Sequence, residues 1–177
     1  MSSADATPVP SSRPSLTPLR RVAASAPMRV SFAGGGTDLP HVAGRLGGRV
    51  IGSAIGIRTA AVVEPFDPGW VRLVAPGGDA LRRGGDPPRN DLSLRLLEAA
   101  LAATGVRDGV SLRIETEVEP GAGLGGGAAA TVAALLALRA ACGEPPAPAE
   151  LVRGAAIVER SRLGIEGGDQ DPIFAAH

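Results

Sequence analysis

A run of glycines at Pro120 to Ala128, PGAGLGGGA, lies between an apolar alternating stretch and an alanine-rich helix, and it is the kind of element that holds phosphate. The first N–H groups of a helix have no partner within it. The helix dipole adds partial positive charge there, and residues without side chains let an anion come close. A nucleotide or a sugar phosphate is the ligand this chemistry suits. A tight turn with no ligand is the plain alternative for the same glycines.

Two familiar phosphate loops can be compared with it. A Walker loop ends in Lys followed by Ser or Thr, and the chain contains no lysine. A G-x-G-x-x-G spacing does occur at Gly121, Gly123 and Gly126. Its sequel would be a second parallel strand ending in an acid about 20 positions on. Here the helix runs into Cys142-Gly143-Glu144 and a proline-rich stretch, Pro145 to Pro148, so no strand carries the acid.

The loop instead resembles the second motif of the GHMP small-molecule kinases, P-x-x-x-G-L-G-S-S-A. Two further segments agree with that family in order along the chain: Ala26 to Pro40, APMRVSFAGGGTDLP, and Glu159 to Asp171, ERSRLGIEGGDQD. AGGGTD and Gln170-Asp171 are similar to the branch of D-glycero-D-manno-heptose 7-phosphate kinases. The resemblance implies an α+β fold, a mixed sheet covered by helices with a left-handed crossover. It also implies ATP and Mg²⁺ as cofactors and a small sugar or sugar phosphate as acceptor.

The same resemblance assigns roles. Phosphoryl transfer asks a protein mainly for positioning and charge neutralisation. Pro120, Gly121, Gly123, Leu124, Gly125, Gly126, Gly127 and Ala128 would cradle the nucleotide phosphates, and Glu159 would help to hold Mg²⁺. Asp171 would face the sugar hydroxyl as base or electrostatic anchor, with Arg29 near the developing charge. Gly35, Gly36, Thr37 and Asp38 would grip sugar hydroxyls. Structural roles stay open beside these: Glu159 as a partner of Arg153 or Arg162, Asp171 as a helix cap, His41 as a surface loop residue and Cys142 as a buried helix end. The chain departs from the family at Gly126-Gly127, where the motif has Ser-Ser. Backbone donors survive that change, but a hydroxyl ligand for Mg²⁺ does not. Pro172, where the heptose branch has glutamine, is a milder departure.

Composition narrows the class. The chain has 177 residues, 44% of them apolar, and its 18 acids balance 18 bases that are all arginine and scattered. With almost no aromatic residues for stacking, nothing favours nucleic acid. A single cysteine forms no internal disulfide, and a reducing cytoplasm is the expected compartment. The longest apolar run, within Ala128 to Ala141, is interrupted by Arg139 and too short to span a bilayer.

The elements that must position these residues follow from period and punctuation. Residues 1–23 are rich in Ser, Pro and Thr and are expected to form a disordered leader before a domain over 24–177. Strands are expected at Ala26 to Phe32, Val50 to Ile55, Arg58 to Glu64 and Trp70 to Val74. Asn90 or Asp91 should cap a helix to about Ala103, with Leu92, Leu96, Leu97, Ala100 and Leu101 on one face and Gly105 as its stop. Val110, Leu112, Ile114, Thr116 and Val118 alternate into the glycine loop. Helices follow at Gly126 to Ala141 and Ala149 to Ser161, and Asp171-Pro172 suits a new helix start. GHMP kinases are roughly twice this length, so the resemblance implies that the chain would correspond to a first half. Self-association or a partner chain covering the place of a second domain is the matching expectation.

Overall fold

Valine, alanine and isoleucine in alternation build the sheet, and alanine builds the helix laid across it. The computed structural model describes residues 19–177, with β1 (Val22–Ala33), α1 (Pro40–Leu46), β2 (Ile51–Pro65), β3 (Trp70–Ala75) and β4 (Gly78–Arg83) in its first part. The second part holds α2 (Arg95–Thr104), β5 (Val110–Thr116), α3 (Gly126–Ala141), α4 (Pro148–Ile157), a π-helical turn at Val158–Arg162, and α5 (Gln170–Ala176). The strands form one sheet in the order β1-β2-β5-β3-β4. Its neighbours are antiparallel except for β3 and β5, which are parallel. This is the mixed sheet with helices that was expected.

One face of the sheet is the core. Ala26 and Met28 of β1, Thr59, Ala61 and Val63 of β2, and Val110, Leu112 and Ile114 of β5 are buried. In α3 nearly every residue from Ala128 to Leu138 is buried, with Leu136 only partly so. Methyl side chains let this helix lie close to the strands, so its amino terminus is held firmly by packing rather than by a cap. Helix α2 buries Leu97, Ala100 and Leu101 and ends at Gly105, whose φ of 76° gives the left-handed residue a helix end calls for. A buried ion pair fixes α2 to β4: Arg82 Nε and Nη2 donate to Glu98 Oε1 and Oε2 at 2.8 and 2.6 Å. The N–H of Arg89 donates to the same Oε1 at 3.1 Å, so the carboxylate is well satisfied.

Several expected boundaries move. Residues 1–18 of the expected leader lie outside the described residues, and Val22 and Ala23 already pair with Val63 and Val62 in the sheet. The two β-rich pieces around residue 56 are a single strand with a break in register. Pro27 pairs with Arg58 and Arg29 with Ala54, so two steps along β1 face four along β2. Such a bulge twists a ladder and re-aims side chains. Asp91 caps a preceding turn rather than α2, its Oδ1 accepting from the N–H and hydroxyl of Ser93 at 3.0 and 2.5 Å. The helix starts four residues later, and Leu92 points to solvent, 82% exposed, instead of joining the apolar face. Asp171 is not a cap either, because Asp169 holds that position and Asp171 falls in the first turn of α5. His41 lies in α1 rather than in a loop.

Candidate functional site

The junction of β5 and α3 is built from glycine because the backbone there takes conformations other residues resist. Gly123 and Gly125 have φ of 76° and 72°, and Gly125 is the N-cap of α3. Among the described residues no side chain caps this helix. Its first internal bond runs from the Ala129 N–H to the Gly125 carbonyl at 3.0 Å, which leaves the N–H groups of Gly126, Gly127 and Ala128 at the open end.

Arg29 ties this loop to α5. Its Nε and Nη2 donate to the two carboxylate oxygens of Asp171 at 2.7 and 2.8 Å, a bidentate pair. Its Nη1 donates to the Gly123 carbonyl at 2.6 Å, and its backbone N–H donates to the Leu124 carbonyl at 3.0 Å. A Cβ on Gly125 would touch both Arg29 and Asp171, at 3.3 and 3.4 Å. Strand, loop and helix thus meet at one guanidinium.

A second clamp lies beside it. Asp38 Oδ2 accepts from the Gln170 N–H at 3.0 Å and Oδ1 accepts from Gln170 Nε2 at 3.1 Å. Gly168 presses its backbone against the same carboxylate, where any side chain would overlap Asp38. Arg160 donates to the Gly167 carbonyl at 2.9 Å and pairs with Asp169, which holds the segment in place. In the loop before α1, the Thr37 hydroxyl bonds to the Gly34 carbonyl at 2.7 Å and is joined to Arg49, so it shapes the loop. Gly35 lies against Ser31.

Two cavities open on these groups. The larger, about 480 Å³, is lined by the loop from Pro120 to Gly127, by Arg29 and Asp171, and by a mostly apolar set including Met28, Thr59, Pro76, Leu96, Leu97, Ile114 and Val118. The smaller, about 320 Å³, is lined by Gly36, Asp38, Gly127, Ala128, Glu159, Gly168, Gln170 and Asp171 among others. Gly127 and Asp171 line both. Among the described residues Glu159 makes no ion pair with Arg153 or Arg162. Arg162 turns instead to α2, its Nη2 donating to the Ala102 carbonyl at 3.4 Å. The Glu159 carboxyl is pushed up to about 7, by burial first and then by the negative charge of Asp171, with Arg160 opposing.

Comparison with known proteins agrees with the geometry. Residues 91–177 match the profile described as the GHMP kinases N terminal domain. Over residues 91–177 the chain has the sequence pattern of a GHMP kinase N-terminal domain. It is 32% identical over 104 residues to 4-diphosphocytidyl-2-C-methyl-D-erythritol kinase of Alkalilimnicola ehrlichii, a match covering 57% of this chain and 33% of that protein. It resembles the crystal structure of a D-glycero-D-manno-heptose 1-phosphate kinase from Bacteriodes thetaiotaomicron with a TM-score of 0.79 at 23% identity, over 87% of this chain and 53% of that one. It also resembles Streptococcus pneumoniae phosphomevalonate kinase in complex with phosphomevalonate and AMPPNP, with a TM-score of 0.70 at 20% identity, over 88% and 47% of the two chains. The chain therefore spans a third of the length of the curated relative and about half the length of these solved structures. The two structural likenesses, both under 25% identity, are likenesses of fold.

In the fold the residues singled out by sequence come together except at the edges: Gly35 and Thr37 serve the loop itself, while Arg29, Asp38, the glycines, Glu159 and Asp171 converge. The sequence reading missed Gln170 as the holder of Asp38, and it missed Thr59 and the wall of Pro76, Leu96 and Leu97. Thr59 alone carried a usable signal, a hydroxyl in register with the buried Ala61 and Val63. The wall comes from separate parts of the chain and has no local pattern.

Proposed function

We propose that this domain is the nucleotide-binding half of an ATP-dependent small-molecule kinase, with ATP in the larger cavity and the acceptor alcohol in the smaller. The observation that carries this reading is that Gly127 and Asp171 line both cavities, so the phosphate cradle and the carboxylate meet where a phosphoryl group would pass. The open N–H groups of Gly126, Gly127 and Ala128 suit the phosphates. The apolar wall suits the base.

In this reading Asp171 orients the acceptor hydroxyl. Gripped through both oxygens by Arg29, its carboxylate is held in one orientation, and the loose transition state of phosphoryl transfer needs little base strength. Arg29 sits beside the loop carbonyl of Gly123 and adds fixed positive charge near the transferred group. Asp38, Gly36 and Gln170 face the acceptor side.

Mg²⁺ fits the donor set. Glu159 sits in a half-buried, electronegative place beside Asp171, where an added cation would favour its ionised form. Among the described residues no group of three or more acidic, His or Cys side chains could hold a metal by themselves. Mg²⁺ commonly takes one or two carboxylates, substrate phosphates and water, so Glu159 with the nucleotide phosphates and water would suffice. When bound it would neutralise charge on the nucleotide phosphates.

The acceptor we favour is a sugar, through the anomeric hydroxyl of a heptose 7-phosphate or a related compound, on the strength of the AGGGTD segment and Gln170-Asp171. The remaining half of the kinase fold would come from a second domain, a partner chain or a second copy, and the cytoplasm is the matching compartment. No helix among the described residues is long and apolar enough to cross a membrane. A second reading, a domain that binds nucleotide without transferring phosphate, is favoured by Gly126-Gly127 in place of the family's two hydroxyls. Phosphate transfer from ATP to a panel of sugars and sugar phosphates, read by phosphorus NMR, tests the first reading. ATP binding without transfer to any of them would leave the second.

A further inference from the structure

Thr59 lies on β2 and is 1% exposed, and its hydroxyl oxygen is buried with no hydrogen-bond partner among the described residues. A hydroxyl left in that state costs a fold stability, so it calls for a reason. The other hydroxyls lining the same cavity are occupied: Ser93 Oγ donates to Asp91 Oδ1 at 2.5 Å, and Thr116 Oγ1 donates to the Val118 carbonyl at 3.4 Å. With Thr59 the cavity is lined by Met28, Leu97 and Ile114. A pocket of this kind binds a flat, largely apolar group by area and fixes its orientation through very few polar atoms.

We infer that the Thr59 hydroxyl is the specificity contact for the nucleobase, forming a hydrogen bond with a polar atom on the edge of the base. The inference rests on the nucleotide reading given above. A threonine hydroxyl can donate to a ring nitrogen or accept from an exocyclic amine, so it can meet either kind of edge. The phosphates have the backbone N–H groups of the glycine loop, and they leave this atom free for the base. Thr59 then carries a cost in the empty protein that is recovered when nucleotide binds.

The two halves of that statement have opposite signs and can be measured on one set of proteins. Wild type, Thr59→Val, Thr59→Ala and Thr59→Ser are titrated by calorimetry with ATP and with inorganic tripolyphosphate, both with Mg²⁺, and their melting is recorded without ligand. Loss of the hydroxyl in Thr59→Val should weaken ATP roughly five- to tenfold and leave tripolyphosphate within about twofold, while the ligand-free protein melts at an equal or higher temperature. Thr59→Ser should keep ATP affinity within about twofold. If Thr59→Val does not fold, the Ser and Ala variants carry the same comparison. ATP affinity equal in all four proteins overturns the contact, and so does an equal loss for tripolyphosphate, which would place Thr59 on the phosphates. Binding of neither ligand to wild type would instead overturn the nucleotide reading, and this inference with it.

Discussion

Arg29 and Asp171 stand 142 positions apart in the chain and face each other through two hydrogen bonds of 2.7 and 2.8 Å. The side chain of Arg29 is 14% exposed and that of Asp171 29%, so the pair is only partly screened by water. The third arm of the guanidinium holds the glycine loop at Gly123. One cation therefore sets the distance between the glycine loop and the Asp171 carboxylate.

Asp171→Asn should abolish phosphate transfer, by about a hundredfold or more, while ATP affinity stays within about threefold. The amide keeps the shape but loses the charge, and it offers Arg29 one acceptor instead of two. Steady-state rates together with an ATP titration check this. Transfer kept within a few-fold would reduce Asp171 to a structural partner of Arg29.

Gly125→Ala and Gly126→Ala should behave differently although they are neighbours. Gly125 has φ of 72°, and its Cβ would press on Arg29 and Asp171, so the substitution should cost about 1–2 kcal/mol or more and weaken ATP binding. Gly126 has no such φ, and its Cβ would meet Met28 at an ordinary 3.5 Å. There alanine should be neutral or stabilise by up to about 1 kcal/mol. Urea unfolding of the two variants decides.

Gly127→Ser restores a hydroxyl at the family position into open space, since no atom of the described residues lies within 4 Å of the added Cβ beyond its own stretch of helix. Mg·ATP should bind about tenfold more tightly, or ~1.4 kcal/mol, with ATP in EDTA little changed. Four calorimetric titrations, two proteins with and without the metal, provide the comparison. Equal affinities throughout would mean that the missing hydroxyl cost this loop no metal ligand.

Glu159 gives the domain a pH dependence. Its carboxyl rises from an ordinary 4.5 to about 7, so between those values the folded protein holds a proton that the unfolded chain has released. Stability contributed by this group is complete below about pH 4.5, falls as pH rises, and is lost above about 7. Glu159→Gln should remove that slope and make the metal-free domain more stable at about pH 8 by on the order of 1–2 kcal/mol. Unfolding curves from about pH 5 to 8 for both proteins test it, and parallel curves would show that Glu159 is not so perturbed.

Local chemistry made much of this domain readable before folding. The exchange of a two-residue alternation at Val110 to Ile114 for an alanine run after Gly126 marks strand, loop and helix, because period and backbone freedom are properties of neighbours in the chain. The glycine loop, Asp38, Glu159 and Asp171 could be named for the same reason, as members of short ordered segments. Tertiary structure alone decided that Arg29 closes on Asp171, that Gln170 holds Asp38, that the Thr59 hydroxyl is buried away from its neighbours' polar groups, and that α2 supplies a wall of the larger cavity. Each of these joins residues distant in sequence, and which groups meet depends on strand order, a bulge opposite Arg29 and the close approach of α3 to the sheet. Hydrogen-bond geometry and burial arise only from that packing, so no local pattern could carry them.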